Sequence, residues 1–355
     1  MGRVTIKMIA KEASVSIGTV ERALNDHGRI NIETKQHILE LADKMGYRPN
    51  KIASALRKKK QLRIAVVMPR NPNYFVNELI IGVEDARNEL ADFGIEMEYV
   101  FSDTLNPVEQ EPILRNTDWT KYDGIALDAG AESLNPYIDN IVDAGIPIVT
   151  FNTDAEGSKR LFYVGENPYS SGRVAGNLMG KIMGGHGRVA IFVGFDTISS
   201  HKARAAGFMD YIKEEYPKIK IFKASQYKDN DSLAKQTMQK ILDDGIKLDG
   251  IFCVSTPGVV GVGECLVEHG LRNQICLIGY DVNSASAKLV KDGYCVAVMY
   301  QDPRKQSYKA ITLLVSMLTG DWQPSHSCYF TRTKIVVAEN MEDYAGDALE
   351  KGILK

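Results

Sequence analysis

From Leu62 onward the chain alternates between short apolar runs and longer amphipathic stretches, and it keeps doing so to about residue 300. The runs RIAVVM, GIEMEYVF, YDGIALD, IPIVTFN, RLFYVGE, GRVAIFVG, IKIFKAS, LDGIFCVS, QICLIGYD and CVAVMY read as buried strands. Between them, stretches such as 77–93, 170–183, 202–216, 233–243 and 259–269 carry the apolar spacing of helices. Such alternation means parallel sheets covered by helices. There are too many strands for one half, so the expectation is α/β, with two doubly wound parallel-sheet lobes. Ligands in these sheets bind beyond the carboxyl ends of strands. The polar loops at 71–75, 152–154 and 197–204, with Ser255-Thr256, Asp281 and Gln301-Asp302, are therefore the candidate site.

The first sixty residues are of another kind. The 355-residue chain has a net charge of -2, yet residues 1–60 hold 13 Lys and Arg against 6 Asp and Glu, leaving 30 against 39 for the remainder. A basic terminal module on an acidic body puts contact with a polyanion on the module. In VTIKMIAKEASVSIGTVERALN, Ile6, Ile9, Ala10 and Ala13 form one helical face, and Ile17, Val20, Ala23 and Leu24 form a second. Thr5 and Ser16 suit the N-cap positions. A third helix, capped by Asn31, is expected to turn Ile32, Ile38, Leu39, Leu41, Ala42 and Met45 inward and to stop at Gly46. This is a small all-α helix-turn-helix domain.

The segment YRPNKIASALRKKKQL joins module to body. Pro49 permits a helix to start beside it, but barely two turns of helix are marginal alone in water. The cations Arg57, Lys58, Lys59 and Lys60 alone read as a solvated linker. What precedes them changes that reading. TIKMIAKEASVSIGTVERALN, INIETKQHILELADKMGYRPN and KIASALR together resemble the DNA-binding region of the lactose-repressor/galactose-repressor family across residues 4–57.

The resemblance implies that the second helix enters the major groove of double-stranded operator DNA, with Ser16, Ile17, Gly18, Thr19 and Arg22 at the bases. Arg22 would be bidentate to a guanine. Thr5, Lys7, Asn25, His27 and Asn31 would hold phosphates. Tyr47, Asn50 and Arg57 are counted as DNA-binding too. Residues 50–61 would be a hinge helix and linker in which Ala53 faces the minor groove and Leu56 wedges into it. Glu21 and Met8 depart from the family's usual Ser and Asp. Ser14 stands at the turn where Gly is usual, at a cost of roughly 1–2 kcal/mol if its backbone is left-handed.

The body resembles the type I periplasmic sugar-binding fold, in its ribose-binding-like branch, through GVEDARNELADFGIEMEYV, IPIVTFNTDA, YVGENPYSSGRVAG, KARAAGF, LIGYDV and MYQDP. The resemblance implies three crossings between lobes. One lobe is expected at about 62–165 and 302–330, the other at about 166–301 and 331–345, between a DNA-binding domain at 1–49 and a tail at 346–355. The implied effector site comprises Asn73, Tyr74, Phe75, Asn152, Thr153, Lys202, Arg204, Ser255, Asp281 and Gln301. Aromatic faces stack on a sugar ring while amides and charges bind its hydroxyls. Arg204 and Asp281 are expected to take two neighbouring hydroxyls each. Thr153 replaces an arginine of the ribose-type binders, and Ser255-Thr256 replaces their Asn-Asp.

Other classes find little support. The start, MGRVTIKMIAKEA, lacks the apolar core of a signal peptide, and no run reaches transmembrane length. The five cysteines and six histidines are scattered, with no CxxC, so no metal site and no cofactor are expected. There is no Walker loop, HExxH or GxSxG, and the Gly258, Gly261, Gly263 run has the wrong spacing for a dinucleotide loop. The expectation is no enzyme, but a cytoplasmic homodimeric regulator, by family habit a repressor. It would answer to a monosaccharide, polyol or sugar phosphate. The alternative is a solute-binding receptor of a sugar uptake system, without DNA function.

Overall fold

The computed structural model describes residues 6–25, 30–45, 61–70, 74–103, 106–223 and 226–344, in two units that divide between Lys59 and Lys60. The first unit contains α1 (Ile6–Glu12), α2 (Ile17–Asn25) and α3 (Ile32–Lys44). Between α1 and α2 the chain turns at Ser14, whose φ of 54° is left-handed. Ser16 Oγ then accepts from the Thr19 amide at 3.1 Å and starts α2, and Asn31 Oδ1 accepts from the Glu33 amide at 2.8 Å and starts α3. Ile9, Ala10, Val20, Ala23, Ile38 and Ala42 close a small core.

That core is narrower than the sequence suggested. Ile32 is 83% exposed and Leu39 37%, while Ile38 is buried and Leu41 and Met45 pack beside it. Ile32 lies six positions before Ile38, about 120° round the helix, and Leu39 lies about 100° round, so neither shares the inward stripe. Ile17 is likewise 46% exposed at the start of α2.

The second unit contains two six-stranded sheets. Its elements are β1 (Leu62–Pro69), α4 (Tyr74–Glu89), β2 (Ile95–Ser102), α5 (Pro107–Asn116), β3 (Gly124–Leu127), α6 (Asn135–Asp143), β4 (Ile148–Phe151), β5 (Tyr163–Gly165), α7 (Pro168–Ile182) and β6 (His186–Phe192). They are followed by α8 (Ser199–Glu215), β7 (Lys218–Lys223), α9 (Asp231–Asp243), β8 (Gly250–Cys253), α10 (Thr256–Glu268), β9 (Cys276–Tyr280), α11 (Ser284–Lys291), β10 (Ala297–Tyr300), α12 (Pro303–Leu318), β11 (Cys328–Phe330) and β12 (Lys334–Val336). The first sheet runs β11-β5-β4-β3-β1-β2 and the second β12-β10-β9-β8-β6-β7. Pairing is parallel except for β10 with β12.

The central strands are buried on both sides, which is why their sequences do not alternate with polar residues. Ile64, Val66 and Met68 of β1 face a core shared with α4 and α12, while Ala65 and Val67 face another, shared with α5 and α6. In β6, Ala190 and Phe192 face α9 and α10, and Val189 and Ile191 face α7 and α8. The α7–α8 contact is close enough to need glycine, since a Cβ on Gly172 would lie 2.1 Å from the Arg204 carbonyl oxygen. The Gly258–Gly263 run lies inside α10, where a Cβ on Gly261 would meet the Asp231 carbonyl at 2.0 Å. Those glycines serve helix packing.

The chain passes between the sheets after β5, after β10 and after β11. These crossings are bonded to one another. The Thr331 amide donates to the Gly165 carbonyl at 2.7 Å, and the Thr333 hydroxyl donates to Glu166 Oε2 at 3.0 Å.

Candidate functional site

The carboxyl ends of β1, β3, β4, β8, β9 and β10 converge on one cavity of about 340 Å³, which the starts of α4, α8, α9 and α10 also reach. Asn152, Asp281 and Asp302, one after each of β4, β9 and β10, have φ of 59°, 63° and 59°. Left-handed backbone at non-glycine residues costs energy and is held only where surrounding bonds impose it. Here the Tyr163 hydroxyl donates to the Asn152 carbonyl at 2.7 Å, and the Asp281 amide donates to the Met299 carbonyl at 2.9 Å.

On the side of the first sheet, Asp128 follows β3. Its carboxylate accepts from Asn152 Nδ2 at 3.0 and 3.1 Å and from the Thr153 amide at 3.3 Å. Burial pushes its carboxyl up to about 7, and these neutral donors hold it only partly down. Gln110 fixes the same loop, donating to the Asp128 carbonyl at 2.7 Å and accepting from the Gly130 amide at 2.7 Å. Thr153 turns toward the other sheet and shares a 3.1 Å hydroxyl–hydroxyl bond with Ser200 of α8. Beside it, the Ser199 amide donates to the Gly130 carbonyl at 3.1 Å, so the cleft is bridged twice.

On the side of the second sheet, Asp281 Oδ2 accepts from the Thr256 hydroxyl at 3.0 Å and from Gln301 Nε2 at 3.1 Å. Asp281 Oδ1 is buried with no hydrogen-bond partner among the described residues. Burial pushes this carboxyl up to about 7, against the opposing pull of the Arg204 charge.

Arg204 itself is turned into the protein. It is 4% exposed: Nε donates to Glu166 Oε1 at 2.7 Å, Nη1 to the Val254 carbonyl at 2.9 Å and Nη2 to Gln301 Oε1 at 2.8 Å. Its guanidinium lies 4.0 Å from the centre of the Tyr280 ring. Burial works against its charge, but Glu166, Tyr280 and Asp281 more than compensate.

A third group lines the end near α9. Ser255 Oγ donates to Asp229 Oδ1 at 2.6 Å, so the Tyr227 hydroxyl, 2.6 Å from the same oxygen, must be the donor to it. His201 Nδ1 accepts from the Phe195 amide at 3.3 Å, and its Nε2 lies 3.8 Å from Asp229. Burial lowers its pKa and favours the neutral ring.

Of the residues expected from the sequence, Tyr74, Phe75, Asn152, Thr153, Arg204, Ser255, Asp281 and Gln301 all line this cavity. Lys202 does not: it is exposed on α8, two positions before Arg204 and so on the opposite side of the helix. Asn73 lies outside the described residues. Arg204, expected to hold hydroxyls, spends each of its nitrogens on protein acceptors. Asp128 and Glu166 were missed. Asp128 closes the run YDGIALD at a strand's carboxyl end, a signal that was available in the sequence; Glu166 becomes visible only through its pairing with Arg204. Among the described residues, no three His, Cys, Asp or Glu are placed to hold a metal ion.

In the first unit, Ser16, Ile17 and Gly18 are exposed at the start of α2. Arg22 lies exposed along the same helix, with Nε on the Gly18 carbonyl at 3.2 Å and Nη2 on the Thr19 hydroxyl at 3.3 Å. Asn31 is exposed at the start of α3; Lys7 lies within α1 and Asn25 ends α2. Thr5, His27, Tyr47, Asn50, Ala53, Leu56 and Arg57, and with them the expected hinge helix, lie outside the described residues.

Residues 64–321 match the periplasmic binding protein domain family, and residues 5–50 match bacterial regulatory proteins of the lacI family. A probable HTH-type transcriptional repressor, ExuR, of Bacillus subtilis (strain 168) is 28% identical over 284 residues, which span 78% of this chain and 81% of the relative. Catabolite control protein A of Priestia megaterium is 24% identical over 78% of this chain and 82% of its own length. Among solved structures, GanP, a glucose-galactose binding protein from Geobacillus stearothermophilus, superposes with a TM-score of 0.73 at 25% identity, covering 79% of this chain and 99% of that one. A solute-binding protein of an ABC transporter from Burkholderia graminis, in complex with D-arabinose, gives 0.74 at 25% identity, covering 80% and 98%. With a lacI-type helix-turn-helix ahead of a periplasmic-binding-protein body, the chain belongs to the lactose-repressor/galactose-repressor family and is a DNA-binding transcriptional regulator.

Proposed function

We propose that this regulator is switched by a small polyhydroxylated molecule bound between its two sheets, and that it performs no reaction on that molecule. The observation that carries the reading is the buried Oδ1 of Asp281, without a partner among the described residues, in a cavity that also offers Asn152, Gln301 and the rings of Tyr74 and Phe75. A buried acceptor without a donor is costly, and a ligand hydroxyl supplies the donor. The aromatic rings suit the apolar face of a sugar. The protein acts in the cytoplasm as a homodimeric repressor, each protomer placing α2 in one half-site of a near-palindromic operator. Ligand binding shifts the lobes and biases residues 50–61 toward or away from an ordered hinge, and only a ligand with different affinities for the two states can do so.

The test is a thermal-shift screen of sugars, inositols and other polyols on the full chain, followed by operator binding with and without each hit. The expected result is at least one stabilising polyol that changes operator affinity. Arg22→Ala should abolish operator binding while leaving the thermal shift intact. Loss of both functions together would contradict the separation of the two units.

A further inference from the structure

The charged groups around the cavity are unbalanced. Asp128, Asp229, Asp231 and Asp281 line it, against Arg204 and Lys228. The charge of Arg204 is already engaged by Glu166, a buried carboxylate behind it. Lys228 is exposed at the rim. Among the described residues, Asp128 is held by neutral donors only and Asp281 Oδ1 has no donor. Among the described residues, the cavity thus has several carboxylates and no buried cation free to meet an anion.

We propose that the cavity selects its ligand by charge, accepting polyols that are neutral or carry an amine and rejecting sugar acids and sugar phosphates. This rests on the reading of the cavity as a polyol site and narrows it. An anionic ligand brought into the cavity would meet the carboxylates of Asp229 and Asp231 and, once pH is above about 7, those of Asp281 and Asp128, in a space that excludes water, where like charges repel far more strongly than in solvent. A hydroxyl or ammonium instead donates to the vacant oxygen of Asp281, and an ammonium also offsets the carboxylate excess. Helix starts at Tyr74, Ser199, Asp231 and Thr256 surround the cavity and would favour an anion, each as a partial charge. Asp231, in the first turn of α9, supplies such an anion from the protein itself.

The test uses the full-length protein and isothermal titration at pH 8, where Asp128 and Asp281 are mostly ionised, and at physiological salt. The panel contains several aldoses and inositols, and for each aldose its uronic acid, the isosteric uronamide, the 6-amino-6-deoxy sugar and the 6-phosphate. The tightest binder is expected to be neutral or to carry an amine. Wherever a uronamide binds, its acid should bind at least tenfold more weakly, about 1.4 kcal/mol. In an Asp229→Asn, Asp231→Asn variant that still binds the neutral ligand, that ratio should shrink. An acid or phosphate as the tightest binder, or a ratio untouched by the double replacement, overturns the charge filter while leaving a polyol site standing. If no panel member binds, the polyol site falls and the filter falls with it.

Discussion

The hydroxyls of Thr153 and Ser200 lie 3.1 Å apart, one from the loop after β4 of the first sheet and one from α8 beside the second. Both are buried. The bond therefore ties the two sheets across the cavity that both residues line. Thr153→Val keeps the shape and removes the hydroxyl. It should widen the ligand-free cleft, seen as a larger radius of gyration by solution scattering, and lower stability by about 1 kcal/mol, as for one lost hydrogen bond. An unchanged radius and melting point would show that the bond does not hold the cleft.

Asp128 and Asp281 give the body a pH dependence of definite sign. Both carboxyls are pushed up to about 7 by burial, from an ordinary value near 4. A raised folded-state value means that the folded protein binds protons more tightly than the unfolded chain. The stability they contribute is full below about pH 4 and is lost as pH rises through 7, on the order of a few kcal/mol for the pair. The melting temperature of an Asp128→Asn, Asp281→Asn variant, measured against the parent from pH 4 to 8, should fall less steeply as pH rises. Parallel curves would sink the assignment.

Gly172→Ala places a methyl carbon 2.1 Å from the Arg204 carbonyl oxygen. No flexible side chain can yield there, because the obstacle is backbone. The helices α7 and α8 must separate, carrying Arg204 away from Glu166 and Gln301. A loss of about 2–3 kcal/mol is expected from such overpacking, together with a weaker operator response to ligand. Differential scanning calorimetry and operator titration on the same sample would check both.

Ser14→Gly tests the strain in the first unit. Ser14 is exposed and left-handed at φ 54°. Relief of roughly 1–2 kcal/mol of left-handed strain, less the added chain entropy of glycine, should stabilise the helix-turn-helix by about 1 kcal/mol. The first transition in a thermal scan, followed by helical circular dichroism, should move up. A downward shift would mean that the serine makes a contact worth more than its backbone costs.

The alternation of apolar runs and amphipathic stretches made β1 to β10 legible from sequence: the central parallel strands, buried on both faces, are uniformly apolar, and the edge strands β2 and β7 alternate apolar with polar residues. β11 and β12 were not legible. They are three residues each, partly exposed, and exist only through pairing with β5 and β10. The strand-end rule gathered most of the cavity but passed over Asp128, whose loop follows β3 as the loops of Asn152 and Asp281 follow β4 and β9. Arg204 shows a different limit. That it would stand at the cavity could be anticipated, whereas the direction of its donors depends on Glu166, 38 positions away in sequence. In the first unit, Ile32 and Leu39 were assigned inward on hydrophobicity alone, and helical geometry puts them outside.

Arg204 bonds to Glu166 after the first crossing and to Gln301 at the second, and Glu166 also takes the hydroxyl of Thr333 at the third. Replacing Arg204 would break bonds at two of these passages and, through Glu166, disturb the third. If the cavity holds the proposed ligand, its preference can be retuned at Ser255 and Thr256 without touching these bonds, whereas a change at Thr153 also cuts the tie to Ser200.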